Sequence, residues 1–212
     1  MNNRQIPIFP LDIVVFPGEI IPLHIFEPRY LDLVKKLREG VFDSFGINTQ
    51  LHHDLQPVGT SMVLTEIKKE YSDGRIDIEV RGISRYLLEH FHTAMPGYQF
   101  PGGQVIDFPE DQGDHPIENE PLKQQIAELF KLLNIREKMP ILTLPFHSYT
   151  WAPYIGLPLE KRYVLLKTTD EKERQAFIQK HVDQILPVLK EAEEVKKKVQ
   201  SNGHLPEYYQ KN

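Results

Sequence analysis

The stretch Ile6 to Tyr30 reads IPIFPLDIVVFPGEIIPLHIFEPRY and threads prolines at 7, 10, 17, 22 and 28 through residues that otherwise favour strands. Each proline removes a backbone donor and fixes φ, so no long helix runs through this segment and short strands must build it. Ile13 to Phe16 is an apolar run that ends at Pro17-Gly18. That pair suits the two central positions of a type II turn, where proline presets φ and glycine accepts a positive value. The next run, Ile20 to Phe26, contains Pro22 and so belongs at a sheet edge or beside a bulge. Past Glu27-Pro28 the period changes, and Leu31, Val34 and Leu37 form a helical stripe opened by Pro28 and closed by Gly40. The expected unit is strand, turn, strand, helix.

Downstream, Phe42 to Asn48 is a strand candidate and Leu51 to Gln56 a polar loop. Val58-Gly59-Thr60 opens a strand that runs to about Ile67. Lys68 to Arg75 reads as a hairpin connection centred on Asp73-Gly74, a two-residue turn signal. Ile76, Ile78 and Val80 then alternate with Asp77, Glu79 and Arg81, the pattern of a half-buried strand. Gly82 marks a bulge, after which Arg85 to Phe91 extends the sheet. From Met95 to Pro121 the composition shifts to Pro, Gly and acidic residues, which places the boundary between a β part (residues 1–118) and a helical part (119–212) in Asp107 to Glu120.

In the helical part, Leu122, Ile126, Leu129, Phe130 and Leu133 form the stripe of a helix starting at Pro121. A proline-broken aromatic stretch, Leu144 to Leu157, is followed by a short helix from Pro158 to Lys167 with Leu159, Tyr163 and Leu166 inward. Thr169 or Asp170 caps a final helix reaching about Gln200, with Pro187 expected to kink it. Along it Ile178, His181, Ile185, Val188, Ala192, Val195 and Val199 keep heptad-like spacing.

The run FPLDIVVFPGEIIPLHIFEPRYLDLV closely resembles the start of the Lon amino-terminal domain family, and VGTSMVLTEI, the DGR hairpin and IEVRGISRYLL resemble its later segments in the same order. This resemblance implies an α+β fold: a PUA-like antiparallel β pseudo-barrel with one early helix, then a helical subdomain ending in a long kinked helix. It implies structural roles for Phe16, Pro17, Gly18, His24, Phe26, Glu27, Pro28, Arg29, Tyr30, Gly59, Gly74, Gly82 and Arg85. His24, Glu27 and Arg29 are expected to tie the edge strand to the helix start. It also implies a stand-alone module that recognises unfolded polypeptides or a protein partner by shape and apolar complementarity, with strand addition at the edge strand containing Pro22 as one mode that this proline weakens locally, and that uses no cofactor.

Composition bounds the chemistry. The 212 residues hold no cysteine, which removes thiolate metal sites, disulfides and cysteine nucleophiles. The amino terminus lacks the pattern of a secretory signal, and no run approaches the roughly 18 to 20 apolar residues of a membrane span, so a cytoplasmic protein without membrane contact is expected. The formal net charge of −5 argues against nucleic acid. The PUA-like likeness nevertheless keeps RNA binding as the alternative. Sequence leaves the oligomeric state open.

A phosphate-loop signature is missing from the sequence, and no serine sits in G-x-S-x-G, so neither ATPase nor peptidase activity is expected. His90 and His92 share one face of a strand, but no third metal ligand has a matching spacing, and His52-His53-Asp54 reads as a solvated loop. Arg81 and Arg85 belong to a polar surface on this reading. Phe146, Tyr149, Trp151 and Tyr154 remain as candidate polypeptide contacts. The competing account of these four is that they cement the helices onto the sheet.

Overall fold

The computed structural model describes residues 4–109, 116–135, 137 and 147–202, with side chains to 199. Six strands, β1 (Arg4–Leu11), β2 (Ile20–Ile25), β3 (Phe45–Leu51), β4 (Asp54–Glu70), β5 (Ile76–His92) and β6 (Gly102–Asp107), lie in the order β2-β5-β4-β3-β1-β6. The far half of β5 also pairs with β6, so five strands close into a barrel and β2 is added outside the ring on the near half of β5. The closed sheet is mixed rather than purely antiparallel, because β1 and β3 run parallel, with Ile8 beside Gly46 and Leu11 beside Thr49. The crossover that parallel pairing requires is supplied by α1 (Pro28–Arg38), which lies between them in sequence.

The glycines of the barrel make room for one side chain. Tyr86 is fully buried, and a Cβ on Gly59 would stand 2.5 Å from its ring. Its hydroxyl donates to Asn48 Oδ1, and burial raises its pKa well above the ordinary tyrosine value. The β3–β4 connection is tighter than the expected polar loop. His52 and His53 both adopt positive φ, 51° and 73°, which forms a two-residue hairpin turn. The β4–β5 turn is longer than the Asp73-Gly74 pair alone: Tyr71 N–H donates to Arg75 O, so Ser72, Asp73 and Gly74 form a three-residue loop with Gly74 at φ 89°.

The helices are α2 (Glu120–Leu132), the short α3 (Ser148–Trp151), α4 (Leu159–Lys167) and α5 (Glu171–Asn202). Asn119 caps α2 by accepting from Leu122 N–H at 3.3 Å, and Asp170 caps α5 by accepting from Glu173 N–H at 3.0 Å. Ile178 and His181 at the start of α5 are buried, whereas Val188, Val195 and Val199, beyond the internal Pro187, are exposed.

One apolar cluster joins Val14, Phe16 and Val58 of the β part to Leu122, Phe130, Trp151, Tyr163 and Ile178 of the helices. A second, on the other side of the 13–16 segment, holds Val15, Tyr30, Leu33, Phe45 and Ile78. At the entry to α5, Glu171 and Arg174 are both fully buried and paired at 2.9 Å. Ser148 donates N–H and Oγ–H to that carboxylate at 2.9 and 2.7 Å, and Arg174 donates to the Thr168 and Thr169 carbonyls at 2.9 and 2.8 Å. A buried ion pair persists when its remaining polar valences are met in this way.

Candidate polypeptide-binding edge

The Pro17-Gly18 turn forms as its residues dictate, with Gly18 at φ 82° and Glu19 N–H donating to Phe16 O at 3.0 Å. The run before it, Ile13 to Phe16, is not a strand. It is extended chain whose carbonyls are met by side chains: Ile13 O accepts from Thr49 Oγ1 at 2.8 Å, Val15 O from Thr60 Oγ1 at 2.6 Å, and Val14 O from Arg162 Nη2 at 2.7 Å. Glu19 completes the clamp. Its carboxylate accepts Phe16 N–H at 2.9 Å and holds Arg162 at 2.9 Å, while the guanidinium lies 4.8 Å above the Phe16 ring.

Gly82 and Arg85 of the motif converge on this junction. Gly82 passes directly beneath the Phe16 carbonyl, where a Cβ would collide with the oxygen. Ile83 is the bulged residue that allows this, since Ser61 pairs with Ser84 and Met62 with Gly82. Val58 N–H donates to Tyr163 Oη at 3.1 Å, and burial raises the pKa of that phenol. Arg85 is a tie between barrel and helices rather than part of a polar surface. It donates to the Leu166 and Thr168 carbonyls at 2.9 and 3.0 Å at the carboxyl end of α4, with Phe108 stacked 4.3 Å from its guanidinium.

Beyond the turn the same stretch turns outward. Among the described residues β2 pairs only with β5, so its other edge is open. Ile21, Leu23 and Ile25 face the interior, whereas Ile20 (54% exposed), Pro22, His24 and Phe26 (61% exposed) form an outward row. Beside the strand lies a groove of about 390 Å³, lined by Asp12, Ile13, Val14, Val15, Glu19, Ile21, Pro22, Leu159 and Arg162. Its walls are mostly aliphatic, with one arginine and two carboxylates at the margin.

The polar residues of the motif are arranged differently from expectation. Glu27 pairs with Arg29 at 2.8 Å, and the arginine stacks on the buried Tyr30 at 4.7 Å. His24 instead reaches across to Asp77 of β5 at 2.5 Å, and that carboxylate also accepts Tyr71 Oη–H at 2.7 Å. The histidine first, then the tyrosine, holds the Asp77 pKa below the usual carboxylate value. His24 therefore ties β2 to the neighbouring strand, not to the helix start.

The aromatic candidates separate from this edge. Tyr149 (2% exposed) and Trp151 (0%) are interior, with Tyr149 stacked 5.3 Å from Phe16, and Tyr154 packs half-buried against the same cluster. A bound chain cannot reach the first two without opening the junction. Phe146 lies outside the described residues. His90 and His92 are exposed, and among the described residues no three histidine or acidic side chains cluster to hold a metal ion. Among those residues, too, no helix is long and apolar enough to cross a membrane. Sequence reasoning offered the Pro22 edge strand for strand addition but missed the exposed apolar row of Ile20 and Phe26 on it. The sequence IIPLHIF carries only a partial signal for it, Pro22 and His24 at alternate positions, because the outward Ile20 and Phe26 are as apolar as the inward Ile21 and Ile25.

Comparison with known proteins agrees with this architecture. The profile of the ATP-dependent protease La (LON) substrate-binding domain matches residues 5–184. Lon protease of Xanthomonas oryzae pv. oryzae is 26% identical over 93% of this chain, and Lon protease of Desulfosudis oleivorans 24% over 94%. The chain spans about a quarter of the length of these curated relatives, 25% and 26% respectively. Among solved structures, the Lon N-terminal domain protein from Xanthomonas campestris superposes with TM-score 0.59 at 24% identity, over 87% of this chain and 98% of that one. The N-terminal domain of Mycobacterium avium complex Lon protease gives 0.60 at 18% identity, over 85% and 98%. The chain belongs to the Lon substrate-binding domain family.

Proposed function

We propose that this domain binds extended, apolar segments of unfolded polypeptides, without chemistry of its own, as a recognition module in protein quality control. The observation that carries the reading is the open edge of β2, with exposed Ile20, Pro22 and Phe26 beside an aliphatic groove. An extended client adds itself along that edge. Its backbone pairs with the unpaired positions of β2, and alternate side chains enter the groove between the 12–15 segment and α4. Pro22 offers an acceptor but no donor there, so pairing is interrupted and affinity rests on side-chain burial. Ser148 does not suit a nucleophile's role, since its hydroxyl is fully buried between Glu171 and Arg174.

The test is fluorescence anisotropy of labelled, chemically unfolded clients. The parent chain should bind with a Kd of about 1 to 10 μM without ATP. The double variant Ile20→Asp, Phe26→Asp should bind at least about tenfold more weakly at an unchanged melting temperature. Equal binding by parent and variant, or none by the parent, overturns the proposal. A second reading, RNA binding, is favoured by one observation: Lys69 and Arg75 lie 4.4 and 5.2 Å from the Tyr71 ring, close to His24. RNA retention that falls steeply with salt, in place of polypeptide binding, would establish it.

A further inference from the structure

Away from the β2 edge, α4 and α5 enclose a second concavity of about 280 Å³, lined by Lys161, Phe177, Lys180, His181 and Gln184. Its chemistry is one-sided. In a chain with 30 acidic residues, no carboxylate lines it among the described residues. Some surface cations are matched, as with Lys190 and Glu128 at 2.9 Å or Lys36 and Glu39 at 2.8 Å, whereas others, Arg81, Lys131 and Lys172 among them, have no carboxylate partner among the described residues. Among the described residues, Lys161 and Lys180 have no carboxylate within ion-pair distance.

His181 is 4% exposed and fixes the floor. Its Nε2–H donates to Ile155 O at 3.0 Å, which leaves Nδ1 as an acceptor 3.5 Å from Lys161 Nζ. Burial, above all, lowers its pKa and keeps the ring neutral, so the two ammonium groups supply the charge. Phe177 provides an apolar wall. Two lysines and an aromatic ring on one lining match a ligand whose carboxylate sits next to an apolar side chain.

We propose that this pocket between α4 and α5 binds the carboxyl terminus of a polypeptide that ends in an apolar residue, with Lys161 and Lys180 on the terminal carboxylate and Phe177 against the last side chain. The proposal rests on the polypeptide-binding reading and adds a feature of the client, its free end, to the internal segments taken by the β2 edge.

The experiment uses the full chain and a fluorescein-labelled decapeptide ending in Leu-Leu, prepared as free acid and as amide. The acid should bind about tenfold more tightly than the amide at low salt. Lys161→Met and Lys180→Met should each remove most of that difference. Lys180, whose amine makes no hydrogen bond to the described residues, keeps the test valid if Lys161→Met unfolds the junction. Equal binding of acid and amide overturns the pocket while leaving the β2 reading intact, and so does a parent-like preference in both lysine variants. Displacement of the acid peptide by 4-methylpentanoate at peptide-like concentrations overturns the polypeptide as its source. No binding of either peptide overturns the proposal too, and capture of unfolded clients then tells whether the β2 reading survives.

Discussion

The two halves of the proline-rich stretch have nearly the same composition and opposite fates. Ile13 to Glu19 is clamped, with Val14 to Phe16 buried and its backbone met by Thr49, Thr60 and Arg162. Ile20 to Phe26 is a paired strand with one open edge and an outward apolar row. The difference lies in what covers each half. The first is covered by side chains remote in sequence; the second is covered by a neighbouring strand on one side and by the core beneath Ile21, Leu23 and Ile25, while its outer face and other edge stay open among the described residues. Apolar residues that are clamped serve stability; equally apolar residues left at an edge are available for recognition.

The largest effect should come from removing the clamp. Arg162→Ala leaves the Val14 carbonyl and the 10%-exposed Glu19 carboxylate without their partner, and should lower unfolding free energy by about 3 kcal/mol in urea titration. A loss under about 1 kcal/mol would mean that the clamped half is held by apolar packing alone. Gly82→Ala pushes a methyl group into the Phe16 carbonyl and should cost about 2 kcal/mol by the same measurement. That substitution sharpens the contrast, because it acts on the clamped half while leaving the β2 side chains in place.

Phe26→Ala is the opposite case. With the ring 61% exposed, stability should change by no more than about 0.5 kcal/mol, while client affinity falls severalfold in anisotropy. A large drop in melting temperature would place Phe26 with the clamped residues instead. The smallest effect is pH-dependent and tests the interior of the helical part. The His181 pKa is lowered in the folded state, so the unfolded chain takes up the proton first. Its contribution is intact above the unfolded value of about 6.5 and is lost as pH falls from there through the depressed folded value. The melting temperature of the parent should therefore drop more between pH 7.5 and 5.5 than that of His181→Gln.

Several elements were legible from sequence because their causes are local. The Pro17-Gly18 turn, α1 opened by Pro28, the alternation from Ile76 to Val80 and the α2 stripe all follow from neighbours a few residues apart. The strand expected at Ile13 to Phe16 failed because its hydrogen-bond partners are side chains 36 to 148 residues away, and composition does not say whether a ladder or a threonine will satisfy a carbonyl. The parallel β1–β3 pair was hidden for a similar reason: strand direction is set by the α1 crossover, not by the strand residues. At the candidate site, the motif named the right segment and offered the Pro22 strand for strand addition, but assigned most of the stretch to scaffolding. Exposure of Ile20 and Phe26 depends on which strands do not arrive beside β2, and that is a property of the whole sheet.

The chain contains a single tryptophan, and the structure places Trp151 at 0% exposure in the cluster shared by barrel and helices. It is a built-in optical gauge of that junction. Its emission should be blue-shifted and shielded from iodide in the intact fold, and should redden when Arg162→Ala loosens the clamp. Client binding along β2 should leave the signal unmoved, so one cuvette measurement separates loss of structure from loss of recognition.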